Sequence, residues 1–142
     1  MVYASSAAIL GPRSDYNPKD LPLPDEFPHK PQTIYGVFKQ CNESTGRIYF
    51  QDHNIRSVGL RPYTCYGVGR EFGMTSAPTK AIKAAILGRD YAIPFCGLTG
   101  FSYVEDIARI FIGCARANVA GAPVFNIRGD AITVEEFIKI GM

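Results

Sequence analysis

The sequence predicts an α/β fold with a mainly parallel sheet and flanking helices. Three observations carry this. Apolar runs of strand length alternate with stretches of helical periodicity. Glycine and proline punctuate the joins. At 142 residues, 46% hydrophobic and 20% charged, the chain has the size and composition of one globular domain.

In order, Met1–Ala4 reads as the end of a buried strand that hands Ser5 and Ser6 to a loop. Residues 11–31 carry six of the ten prolines, so neither a helix nor a central strand survives there. A stiffened loop of that length is more often functional than not. From Gln32 to His53 the pattern turns helical. Ile34, Val37, Phe38, Cys41, Ile48 and Tyr49 share a broad apolar face, Glu43 lies mostly elsewhere, and Gly46 is a soft spot. Asp52-His53-Asn54 reads as the stop. Ile55–Leu60 is a strand broken by Arg61-Pro62, and Tyr63–Gly69 is a glycine loop. Pro78–Leu87 is a short helix with proline in its first turn and Gly88 at its end. Tyr91–Phe95 reads as a short strand, Val104–Ala117 as a helix, and Ala122–Ile127 as a strand. Thr133 and Glu136 have capping-box spacing and open a last helix.

Composition excludes several classes. A net charge of +2, with the basic residues scattered and most of them read as solvated, argues against nucleic acid or a membrane surface as partner. Cys41, Cys65, Cys96 and Cys114 form no CxxC, and neither they nor His29 and His53 have metal-ligand spacing, so no metal is expected. Free thiols, no apolar run of membrane length and no signal-peptide layout together read as a soluble cytoplasmic chain.

The chemistry centres on Tyr35-Gly36-Val37-Phe38-Lys39. Side chains four apart on a helix share a face. An ammonium within roughly 4–6 Å of a phenol favours the phenolate. In parallel sheets ligands sit beyond the carboxyl ends of strands. Ser6 follows one strand, Tyr63-Thr64 follow another, and Tyr35 lies on the helix between them in sequence.

In that order and spacing, Val2-Tyr3-Ala4-Ser5-Ser6-Ala7-Ala8, Tyr35-x-x-x-Lys39, Arg61-Pro62-x-x-x-Tyr66-Gly67-x-Gly69, Tyr103-Val104-Glu105-Asp106-Ile107-Ala108 and Val124-Phe125-Asn126-Ile127 form one set. The set resembles the C-terminal portion of an extended short-chain dehydrogenase/reductase of the NAD-dependent epimerase/dehydratase family. The resemblance covers nearly the whole chain. It implies a partial Rossmann-type sheet plus part of a smaller substrate-binding lobe, read as a single partial domain over residues 1–142.

The resemblance also implies roles. Tyr35 would be the general acid/base, Lys39 would assist it and hydrogen-bond the nicotinamide ribose, and Ser6 would hold the substrate oxygen, with Ser5 as runner-up. Ala4, Ser5, Tyr35, Lys39, Pro62 and Tyr63 would border an NAD or NADP cofactor, although Tyr63 reads equally as a core aromatic. Ser6, Ala7 and Thr64 would face a small-molecule substrate. A homodimer through the Tyr35 helix is implied for the intact enzyme.

Three departures shape the expectation. Nucleotide-sugar members usually have asparagine where this chain has Thr64, and often an Arg-Asp pair where it has Thr99 and Gly100. Losing an amide and a cation weakens a diphosphate grip. Arg70 or Lys80 would be the alternative anion contact. The glycine-rich turn that cradles a dinucleotide is absent from this chain, and Met142 falls short of the family's usual end, so the chain reads as a fragment that binds cofactor feebly and turns over nothing alone.

The expected activity is therefore NAD(P)-dependent oxidoreduction or epimerisation at a secondary alcohol or ketone of a sugar-like substrate. Dehydration is less favoured, because Ser6-Ala7-Ala8 lacks the acidic pair used for it. The alternatives are a reductase of bulkier ketones and a non-catalytic dinucleotide sensor. Intact Ser6, Tyr35 and Lys39 argue against the sensor.

Overall fold

The computed structural model describes residues 1–17, 19 and 23–141. Strands and helices run β1 (Val2–Ala4), α1 (Ile34–His53), β2 (Val58–Pro62), β3 (Thr64–Tyr66), α2 (Ala77–Ile86), β4 (Leu98–Tyr103), α3 (Val104–Arg116), β5 (Val124–Ile127), β6 (Asp130–Thr133) and α4 (Val134–Gly141). They form two compact units. One comprises Met1–Pro62 and Ile110–Ile127, the other Tyr63–Arg109 and the chain from Arg128 onward.

The first unit holds an all-parallel sheet in the order β1-β2-β5. Val58, Leu60 and Ile127 are buried in it, together with Ile9 and Leu10 from the segment after β1. Arg61-Pro62 does not break the second strand as expected. β2 starts later and runs through both residues, with Pro62 at the strand end, where a missing amide donor is tolerated.

α1 begins where the Thr33 hydroxyl accepts the Gly36 amide at 3.0 Å. It ends at Asn54, which takes the left-handed conformation at φ 54°. Its apolar face points away from the unit's core: Ile34, Val37, Phe38, Cys41, Ile48 and Tyr49 are exposed. The buried positions are Gly36, Glu43 and Gly46. Gly46 is thus a close approach rather than a soft spot, since a Cβ there would lie 3.1 Å from the Ser57 hydroxyl and 3.2 Å from that of Tyr3. In the proline-rich stretch Pro18 and Pro22 lie outside the described residues. Its described part still packs, with Tyr16 and Leu23 buried and the Tyr16 and Phe27 rings edge to face at 5.2 Å.

In the second unit β3 pairs parallel and β6 antiparallel with β4. The expected 63–69 loop therefore contains a strand, and the expected Tyr91–Phe95 strand is replaced by Leu98–Tyr103. Ile93 and Phe95 instead pack as irregular chain against a core of Phe101, Val134 and Phe137, which explains their apolar character. α4 opens on the reciprocal cap foreseen: the Thr133 amide donates to Glu136 at 2.7 Å and the Glu136 amide to the Thr133 hydroxyl at 3.1 Å.

Candidate active site

The first unit brings β1 and α1 together at the C-terminal end of β1. The Lys39 ammonium donates to the Ala4 carbonyl at 2.7 Å and lies 5.5 Å from the centre of the Tyr35 ring. Tyr35 is 55% exposed. Ser6 caps the 3-10 turn Ala7–Ile9, its hydroxyl oxygen accepting the Ala8 amide at 3.1 Å. A hydroxyl that accepts still has a proton to donate. The same turn lies against the first turn of α1. A Cβ at Gly36 would stand 2.6 Å from the Ala8 carbonyl oxygen, so only glycine admits this packing.

Ser5 differs from its neighbour. It is buried, its amide donates to the Leu60 carbonyl at 2.8 Å, and its hydroxyl donates to Glu43. That hydroxyl is therefore engaged inside the protein. Glu43 also takes two bonds from Arg61, from Nε at 2.8 Å and Nη2 at 2.7 Å. Arg61 is only 2% exposed, against the expectation that it is scattered surface charge. All five of its N–H groups find acceptors. The remaining three reach the Asp25 carbonyl at 2.7 Å, Asn126 Oδ1 at 3.3 Å and His29 Nε2 at 2.9 Å. Asp25 in turn accepts the Asn126 amide at 2.6 Å.

A guanidinium only donates, so His29 Nε2 accepts and the ring is neutral. Burial and then the Arg61 charge hold the imidazole below its usual range, with Glu43 pulling the other way. The 3.6 Å approach of His29 to Glu43 is accordingly no ion pair at neutral pH.

Glu43, Arg61 and His29 were missed by sequence reasoning. Signals existed for two of them: Arg61 opens the Arg61-Pro62 motif, and Glu43 stands four residues beyond Lys39 and eight beyond Tyr35, on the same helix face.

Pro62 closes β2 in the first unit, and Tyr63 and Thr64 belong to the second. There Thr64 is buried and its hydroxyl meets that of Thr99 at 3.2 Å, while a Cβ at Gly100 would lie 3.4 Å from the Tyr63 ring. The Arg70 guanidinium folds back on its own loop, donating to the Phe72 carbonyl and, at 3.0 Å, to the Thr75 hydroxyl. The cleft lined by Met1, Arg56, Ser57, Cys114 and Asn118 contains none of the predicted site residues. Among the described residues no helix is long and apolar enough to cross a membrane.

Residues 1–127 match the model of the NAD dependent epimerase/dehydratase family. An uncharacterised protein of Methanocaldococcus jannaschii is 30% identical over 111 residues, which is 75% of this chain and 32% of that protein. UDP-N-acetylglucosamine 4-epimerase from Methanobrevibacter ruminantium, solved with UDP-N-acetylmuramic acid, superposes with a TM-score of 0.81 at 24% identity, covering 98% of this chain and 44% of that one. A partial-consensus L-threonine 3-dehydrogenase superposes at 0.83 and 23% identity, covering 95% and 44%. The chain thus spans about a third of the curated relative and under half of the solved structures.

Proposed function

The chain belongs to the NAD dependent epimerase/dehydratase family, and from that premise we propose that it carries the catalytic face of an NAD(P)-dependent oxidoreductase or epimerase. The substrate is a secondary alcohol or ketone of a sugar-like molecule. One observation carries the reading: the Lys39 ammonium is tied to the Ala4 carbonyl while lying beside the exposed Tyr35 phenol. Lys39 keeps N–H groups free to donate to a ribose, and Ser6 keeps a hydroxyl proton, so the residues fit a nicotinamide nucleotide and a substrate oxygen.

When bound, the nicotinamide takes or returns the hydride at the reacting carbon. Tyr35 takes the proton from the substrate hydroxyl as that carbon becomes a ketone, and returns it in reverse. Ser6 holds the oxygen through both directions. Lys39 orients the ribose and keeps a positive charge beside the phenol.

Tyr35→Phe tests this in a holoenzyme containing these residues. Turnover is expected to fall by about 10²–10⁴-fold, the usual contribution of general acid–base catalysis, with cofactor affinity kept. Unchanged turnover refutes the assignment.

A second reading, a bulkier non-sugar ketone, is favoured by the Thr64–Thr99 hydroxyl pair, which presents neither amide nor cation to a diphosphate. Nicotinamide absorbance across a panel of alcohols and ketones separates the two, with product analysis for epimerisation. The glycine-rich cofactor turn is not among these 142 residues. We therefore expect weak cofactor binding by this chain alone; micromolar affinity in a fluorescence titration contradicts that.

The exposed face of α1, with Ile34, Val37 and Phe38, is assigned to contact a second copy of the enzyme. Phe38→Glu should shift sedimentation from dimer toward monomer.

A further inference from the structure

We propose that Glu43 is a positioning residue for the reaction, acting through Ser5 to hold the end of β1 against the Tyr35–Lys39 face of α1. This rests on the roles given above to Tyr35, Lys39 and Ser6. Tyr35, Lys39 and Glu43 follow one another at four-residue intervals, so they form one ladder along the helix. Two of the three rungs reach β1 or the residue after it. Lys39 grips the Ala4 carbonyl at 2.7 Å, and Glu43 accepts from the Ser5 hydroxyl. Ser6 comes next in the chain.

The backbone between two such anchors has little freedom. Its carbonyl at residue 4 and its hydroxyl at residue 5 are both tied to α1, while the residue 5 amide is tied to β2 through Leu60. Ser6 enters the next turn directly from this anchored stretch, its hydroxyl oxygen accepting the Ala8 amide at 3.1 Å. Glu43 can act as an anchor because it is itself buried and bonded. It is 6% exposed and takes two bonds from Arg61. Bidentate pairing fixes orientation as well as distance. Among the described residues Glu43 hydrogen-bonds none of the three residues given chemical roles; it acts on Ser6 through the neighbouring Ser5.

The test is a double-mutant cycle of Ser5→Ala and Glu43→Gln in the holoenzyme that contains these residues, with Tyr35→Phe as control. Ser5→Ala removes the link to β1 and leaves the Glu43–Arg61 pair in place. Its kcat, per active site counted by bound cofactor, should fall about tenfold to a hundredfold, the scale of a misplaced reacting group. Substrate KM should change less than about threefold, because the ground-state contacts of Ser6 persist. The thermal midpoint should fall only modestly, since Arg61 still pairs Glu43, while the pH–rate profile should shift, which a merely structural contact would not cause. Glu43→Gln should lower kcat similarly, and the double variant should be no worse than the weaker single, since both break one chain of contacts.

Three results overturn the proposal: a kcat for Ser5→Ala within twofold of the parent, an activity loss that tracks the loss of folded protein, or additive effects in the cycle. If Tyr35→Phe is inactive while Ser5→Ala is fully active, the positioning role fails alone. If Tyr35→Phe turns over like the parent, the acid/base reading fails and takes this proposal with it.

Discussion

Beside its apolar core of Ile9, Leu10, Val58, Leu60 and Ile127, the first unit buries a polar cluster of Ser5, Glu43, Ser57 and Arg61; the second has a core of Phe101, Val134 and Phe137. The second unit stacks Phe101 on Phe137 at 4.3 Å with planes 13° apart. It sets the Tyr66 ring edge-on to Phe137 at 5.1 Å. Such contacts stabilise chiefly by the apolar area they bury, with a smaller share from ring geometry. The first unit instead buries a carboxylate against a guanidinium. Desolvating each ion costs several kcal/mol, and the pair repays it only in good geometry. The first unit thus adds a buried ion pair to its apolar core where α1 meets the end of β1, whereas the second fills its core with rings.

The comparison is broken hardest at Arg61. Arg61→Ala strands Glu43 as an unpaired buried charge and should cost about 3–5 kcal/mol, read from urea denaturation. The double change Glu43→Leu with Arg61→Met should recover most of it, since apolar replacements of a buried pair are often neutral or stabilising. Stability would return while the anchor on Ser5 stays lost. If the double variant is as unstable as Arg61→Ala, the network is needed for folding itself and the contrast between the units weakens.

In the second unit Phe137→Ala should cost roughly 3 kcal/mol by the same measurement, at the low end for a buried phenylalanine because the helix carrying it is short and can settle. Phe137→Leu should cost about 1 kcal/mol, because shape matters less than volume there. A loss on Phe137→Leu as large as for alanine would show that ring geometry, not bulk, holds this core.

That contrast also explains what the sequence made legible. Alternating strand and helix patterns identified the α/β class, and the Tyr35–Lys39 spacing, Thr133–Glu136 cap and Asn54 stop are local signals that survive in the structure. The buried network is not local. Ser5, His29, Glu43, Arg61 and Asn126 come together only through the parallel sheet, and a charged residue read singly looks solvated. The exposed apolar face of α1 misled for the same reason: periodicity finds a stripe but does not say which stripe faces the core. Ile93 and Phe95 look like a strand because packing against Phe101 demands apolar residues whatever the backbone does.

A milder probe of the first unit is pH. His29 is held below its ordinary value in the folded chain, chiefly by burial and next by Arg61. Between that lowered value and about 6.5 the unfolded chain binds more protons, so stability falls as pH drops through this window. Above about 6.5 the His29 contribution is complete. His29→Gln retains an acceptor for Arg61 and removes the titration. The difference in urea midpoint between pH 7.5 and pH 5 should therefore be smaller in His29→Gln than in the parent. Equal differences would mean that the imidazole is not what senses acid in this network.

The smallest effect is expected at Tyr3, where the two ways of filling an interior meet in one side chain. Among the described residues its hydroxyl makes no hydrogen bond, although it lies 2.7 Å from where a Cβ at Gly59 would stand. Burial first, and the Glu43 charge second, push the phenol up to about 12, against the pull of Arg61. A hydroxyl dried without a partner forfeits hydration and gains nothing in return. Tyr3→Phe should accordingly leave stability within about 1 kcal/mol of the parent, on the stabilising side. The sign with pH is opposite to that of His29. Above about 10 the unfolded tyrosine loses its proton while the folded one keeps it, so the parent weakens as pH rises through that range and Tyr3→Phe weakens less. Urea midpoints at pH 8 and pH 10.5 measure this. A clear destabilisation by Tyr3→Phe at pH 8 would show that the hydroxyl does hold a partner, and that the polar network around Glu43 extends one residue further along β1.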